Sequence, residues 1–196
     1  GASQNGSFAY FEVKSSGSQA VTVIDSSFDN NYALGSGGVF VLSSSSTQKQ
    51  SIAMTGCNMT GNSGTNGGAI YLVNMAFGST GSITLSNCRV IGNRVSDFGG
   101  AIAMDGLYAT NDMHVIEINN CLLDSNSAVN QGGGVVYIAT NGYQQVTFVD
   151  STWRDNHGKY GGAVSLGGDP VGPLKMNWLV VHNNTFENNY ATIQSG

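Results

Sequence analysis

Apolar and polar residues alternate along this chain in short stretches that return at a nearly constant distance. Val21 and Val23, Ile52 and Met54, Ile83 and Leu85, Ile116 and Ile118, Val146 and Phe148, and Leu179 and Val181 each flank one more variable residue: Thr22, Ala53, Thr84, Glu117, Thr147 or Val180. A period of two is the mark of a strand with one face buried. A few residues beyond each pair stands a large apolar side chain, Phe28, Met59, Val90, Leu123, Trp153 or Phe186, and three positions after it an asparagine. These asparagines, Asn31, Asn62, Asn93, Asn126, Asn156 and Asn189, recur about every 32 residues, a period that predicts a solenoid whose repeats bury their apolar sides on one another.

The residues between these landmarks predict where the chain bends. Asp25, Gly56, Asn87, Asn120, Asp150 and Asn183 end the alternating stretches, and all are types that adopt left-handed or Asx-turn geometry. The asparagine predicts a second corner, with its amide bonded to backbone and to its copies in neighbouring turns. Two positions later the residues are small (Ala33, Gly64, Ala128, Gly158, Ala191), with Val95 the exception. A glycine pair then opens a further apolar strand: GGVFVL at 37–42, GGAIYL at 67–72, GGAIAM at 99–104, GGVVYI at 133–138 and GGAVSL at 161–166. Where Gly132, Gly133 and Gly134 run together, the last two are the pair, because Tyr137 then aligns with Tyr71. The connections from this strand to the next repeat share no pattern and absorb most of the differences in length.

The pattern predicts an all-β, right-handed parallel β-helix (solenoid), a single domain over 1–196 with three strands per rung and about six rungs, the hand following the crossover preference of parallel strands. A leucine-rich-repeat horseshoe also stacks asparagines, but no helical period and no L-x-x-L-x-L spacing occur here. The opening FAYFEV element at 8–13 has no glycine pair before it, and the sequence stops where a sixth pair is due. Both predict a segment of a longer protein.

Composition narrows the function. There are 7 Lys and Arg against 12 Asp and Glu, a net charge of -5, with 28 glycines and 2 prolines. The surface therefore falls to Ser, Thr, Asn and Gln, as in secreted β-rich proteins, and nucleic acid is not an expected partner because its phosphates are held by clustered Lys and Arg. No apolar run approaches the roughly 18 residues of a membrane-spanning helix, and residues 1–7 carry no signal-peptide pattern. Asn5, Asn58 and Asn183 lie in N-x-S/T sequons and are candidate glycosylation sites in a secretory host.

Candidate chemistry is sparse. Cys57, Cys88 and Cys121 share one column with Ser26, Ser151 and Asn184, so they stack in adjacent turns within disulfide reach, and an odd number leaves at least one thiol unpaired. The simpler reading is a ladder of small buried residues at a strand end. No C-x-x-C spacing occurs and no histidine shares the column, so neither a metal nor another cofactor is expected. Two positions before the asparagines lie Asp29, Thr60, Ile91, Asp124, Arg154 and Glu187, which never set two carboxylates on adjacent turns but do predict an Asp124–Arg154 ion pair. Asp25 and Asp150 stand in one column but too far apart to cooperate.

His114, His157 and His182 occupy different repeat positions, so no Ser-His-Asp arrangement forms and the histidines read as surface or packing residues. Gly167, Gly168 and Asp169 match part of a calcium-binding repeat that never recurs. Ala53 and Glu117 interrupt the outer threonine column, which removes an ice-binding ladder. Phe77, Tyr108, Tyr143 and Trp178, in or beside the variable connections, are candidates for stacking on sugars or meeting a partner surface.

The Phe-x-x-Asn element combined with GGA[IV] resembles the repeats of the chlamydial polymorphic outer membrane proteins and related pectin-lyase-like β-helix surface proteins. The best matches are SFDNNYALGSGGVF from Ser27 and GNSGTNGGAIY from Gly61. The chain departs from that family in showing no C-terminal membrane barrel and in its first element. The resemblance implies a secreted or surface-displayed, often adhesive, passenger. The expected function is a non-catalytic extracellular or cell-surface β-helix, a structural or adhesive module. Its partners would be other copies or neighbouring segments in an assembly, a host or matrix surface, or glycans. The alternative is a carbohydrate-active or carbohydrate-binding β-helix, which would need clustered carboxylates in a groove.

Overall fold

The computed structural model describes residues 8–13, 17–44, 49–74, 79–106, 113–140, 142–167 and 177–193, and among them every regular element is a β-strand. One turn shows how the sequence becomes structure. Thr80–Ser86 is a seven-residue strand whose burial alternates, with Ile83 and Leu85 inward. Asn87 then takes a left-handed φ of 55° and redirects the chain into Arg89–Ile91, which inserts Val90 into the interior. Past Asn93 come a short strand, Arg94–Phe98, and the glycine strand Ile102–Gly106, which points Ile102 and Met104 inward.

Every strand pairs in parallel with its equivalent one turn away, so four sheets run along the solenoid, three of six strands and one of five. The three strands expected in each turn are present. A fourth lies between the asparagine and the glycine strand: Ser63–Asn66, Arg94–Phe98, Ser127–Ala128, His157–Gly158 and Tyr190–Ala191. The column two positions after the asparagine supplies its inward residues, among them Val95 and Ala128.

Register follows the sequence columns. Ile52, Ile83, Ile116, Val146 and Leu179 are successive partners, and Tyr71, Ala103 and Tyr137 align, which fixes Gly133 and Gly134 as the pair of their turn. The left-handed φ in that turn nevertheless falls on Gly132. Ala9–Val13 pairs with Phe40–Ser44, so the FAYFEV element is a glycine-sheet strand without the glycines.

All six corner residues named above have positive φ, from 47° at Asp25 to 66° at Gly56. A second left-handed column lies directly before the asparagines: Asn30, Gly61, Gly92, Ser125, Asp155 and Asn188. Each turn is thus bent twice in this conformation, by glycine, which has no Cβ to clash, or by Asn or Asp, whose short polar side chains can bond locally, with Ser125 the exception.

The interior is a stack of like on like. Ile52, Met54, Ile83, Leu85, Ile102 and Leu72 are at most 1% exposed, and burial of each such side chain is worth about 1.5–3 kcal/mol. The bulk changes at Trp153, whose ring centroid lies 4.5 Å from that of Phe148 and 5.6 Å from that of Phe186. At the other end Phe8, Phe28 and Phe40 meet edge to face with centroids 5.0–5.5 Å apart.

Candidate functional site

The asparagines form one unbroken ladder. The backbone N–H and the Nδ2 of Asn31, Asn62, Asn93, Asn126 and Asn156 each donate to Oδ1 of the asparagine in the next turn, at 2.8–3.1 Å. Nδ2 also donates backwards, to the carbonyl of the large apolar residue one turn earlier: Asn62 to Phe28, Asn93 to Met59, Asn126 to Val90, Asn156 to Leu123 and Asn189 to Trp153, at 2.7–3.0 Å. The four interior amides are fully buried and satisfied at both ends. They sit at the second corner of each turn.

The cysteine column behaves similarly. Ser26, Cys57, Cys88, Cys121, Ser151 and Asn184 each place a polar side-chain atom on the carbonyl two residues back, Cys121 Sγ at 3.2 Å from Asn119 and Ser151 Oγ at 2.8 Å from Val149. Backbone N–H groups donate along the column, Cys88 to Cys121 Sγ at 3.3 Å and Cys121 to Ser151 Oγ at 3.0 Å. All three cysteines are free thiols and buried. The Cys88 thiol is lowered to about 7 because the Cys121 thiol donates to it, against the opposing effect of burial; Cys121 is raised by that same bond and by burial. Burial raises Cys57. Cys88 and Cys121, with Asn87, Arg89, Asn120 and Asp150, line a surface recess of about 310 Å³.

Charges pair as the columns predict. Arg154 donates to Asp124 Oδ2 from Nε at 2.9 Å and Nη2 at 2.7 Å. Burial alone would raise the Asp124 carboxyl, but the bonds from Arg154 and Ser125 outweigh it and leave it below its ordinary value. The pair is near the surface, where such bridges contribute about 1 kcal/mol or less. Asp150 serves its corner, accepting from Asn183 Nδ2 at 2.7 Å. No group of three or more His, Cys, Asp or Glu side chains among the described residues could hold a metal ion.

Of the four aromatic candidates, the structure brings two together. Tyr143 and Trp178, 36% and 43% exposed, lie on adjacent strands with nearly parallel rings, 23° apart and 6.5 Å between centroids. Phe77 and Tyr108 fall outside the described residues, as do Asn5, Gly168 and Asp169. The other two sequon asparagines, Asn58 and Asn183, are exposed. His157 stacks on Tyr190 with centroids 4.2 Å apart, and His182 is exposed.

His114 belongs to a buried polar group that the alternation did not reveal. Gln50, His114 and Gln144 occupy one register position at the start of the long strands and are 0–1% exposed, with Gly81 between the first two. Burial lowers His114 from 6.5 to about 4. The folded chain therefore binds less proton than the unfolded one between these values, and stability present above pH 6.5 is lost as pH falls towards 4, by about 3 kcal/mol. Urea midpoints measured across this range should fall for the natural chain. They should fall less for His114→Gln, which puts there the residue already found at Gln50 and Gln144.

Among the described residues no helix is long and apolar enough to cross a membrane. No protein-family model, curated protein or solved structure matches this chain.

Proposed function

We propose that this chain is a non-catalytic structural and adhesive module, a stiff β-solenoid rod that works outside the cell or at its surface and presents its variable connections to neighbours. The observation that carries this reading is the ladder running without a break from Asn31 to Asn189. A column of fully satisfied buried amides holds every turn to the next and makes bending or sliding of one turn costly. The side chains with the most distinctive chemistry are spent on this stacking: the asparagines on corners, the cysteines on strand ends, Arg154 on Asp124. The Ser- and Asn-rich exterior suits contact with glycans, matrix or further copies of such a rod.

A second reading, carbohydrate binding, draws on one observation, the exposed Tyr143 and Trp178 rings lying side by side. Neighbouring aromatic faces are a platform on which sugar rings stack. Binding of the purified chain to immobilised matrix proteins, cells and a glycan array, with a reducing-sugar assay on the bound polysaccharides, tests both. The adhesive module should bind without releasing sugar, and Tyr143→Ala with Trp178→Ala should abolish only glycan retention. Release of reducing ends would overturn the non-catalytic reading.

A further inference from the structure

In the function proposed above Cys88 and Cys121 serve only in stacking, and their thiol chemistry is unused. Arg89 and Leu122, the residues directly after them, are register partners in adjacent parallel strands, so the two cysteines face each other across one turn. Parallel strands lie about 4.8 Å apart, inside the roughly 4.4–6.8 Å between α-carbons that a disulfide spans. Cys57 stands in the same relation to Cys88 on the other side, because Asn58 and Arg89 are also partners. Spacing alone does not choose between the pairs, but access does. The sulfur of Cys121 lies 3.3 Å from the backbone nitrogen of Cys88, and both residues, but not Cys57, line the recess of about 310 Å³.

We infer that Cys88 and Cys121 are an oxidation site, at which a peroxide entering the recess joins their sulfurs into a disulfide between adjacent turns while Cys57 remains a thiol. Cys88 is the attacking sulfur, since its interaction with Cys121 lowers its thiol and Arg89 also lines the recess. The Cys88 thiolate attacks one peroxide oxygen, the O–O bond breaks, and hydroxide leaves, giving a sulfenic acid. The Cys121 sulfur then attacks the Cys88 sulfur; its proton goes to the departing hydroxyl, which leaves as water. Two thiols are oxidised by two electrons and one hydrogen peroxide is reduced to two waters. Cys57 and Cys121 are two turns apart, about 10 Å, too far to pair.

The test treats the full chain with hydrogen peroxide, unfolds it, labels free thiols with N-ethylmaleimide and maps the peptides by mass spectrometry. The expected result is loss of label at Cys88 and Cys121, a linked peptide containing both, and full label at Cys57. Cys88→Ser should remove the linked peptide, and Cys57→Ser should leave it. Serine suits the column, because Ser26 and Ser151 already occupy it, and circular dichroism of each variant confirms that the solenoid persists. A Cys57–Cys88 link as the main product, a sulfinic acid on Cys88 without any link, or full label on all three cysteines would each overturn the inference.

Discussion

Asn126→Leu should destabilise the fold by about 3–6 kcal/mol, most of the margin of an ordinary domain. Leucine has the same number and branching of side-chain heavy atoms as asparagine but no polar atom, so the loss is chiefly one of hydrogen bonds. The change removes the acceptor of the Asn93 backbone N–H and Nδ2, both at 2.9–3.0 Å, and the donor to the Val90 carbonyl at 2.9 Å. These groups are out of water, and each buried polar group left without a partner costs about 1–3 kcal/mol. Asn189→Leu, in the more exposed last turn, should cost about half as much, because water replaces part of what is lost. Urea denaturation of the two variants checks the pair. Equal losses would mean that the ladder is not the buried network described above.

Gly100→Val should be as damaging, for a steric reason. A Cβ built on Gly100 collides with the carbonyl oxygen of Gly134 and with the backbone of Ser127, so adjacent turns can approach only if residue 100 has no side chain. Overpacking of this kind, against backbone that cannot rotate away, is expected to cost more than about 3 kcal/mol. Gly92→Ala is the control. Nothing lies within 4 Å of a Cβ there, and only the left-handed φ of 64° opposes the change, at about 1–2 kcal/mol. Soluble yield and thermal midpoint should fall sharply for the first variant and mildly for the second.

The long strands, the first corner and the glycine strands were legible because each contributes a residue type at a constant distance from the asparagine. Val95 and Ala128 explain why the fourth strand was not: each such strand has two to five residues, too few for an alternation to show. The second left-handed column, Asn30 to Asn188, consists of Asn, Gly, Ser and Asp and was readable in principle. Its signal lay directly beside the more regular asparagines. Gln50, His114 and Gln144 were hidden for a different reason, since polar residues at a strand start read as solvent-facing in the sequence.

For the candidate site, the columns foretold the Asp124–Arg154 pair and the stacking of the three cysteines. They could not say which thiols line a recess, because that depends on how the side chains around the column leave the surface open. Tyr143 and Trp178 were singled out separately, as aromatics near variable connections. Their parallel rings became visible only once Trp178 was placed opposite Gln145, two residues along from Tyr143.

Along the asparagine ladder itself every amide donates the same way, its Nδ2 to the Oδ1 that follows it in sequence. The rod therefore has an arrow, and damage to it travels in one direction. When Asn126 is lost, the Asn93 amide and the Val90 carbonyl in the turn before it lose their partners, while Asn156 Oδ1 in the turn after it loses one of two donors and keeps the backbone N–H of residue 126. Amide hydrogen exchange in such a variant should accelerate on the N-terminal side of the lesion and stay slow on the other.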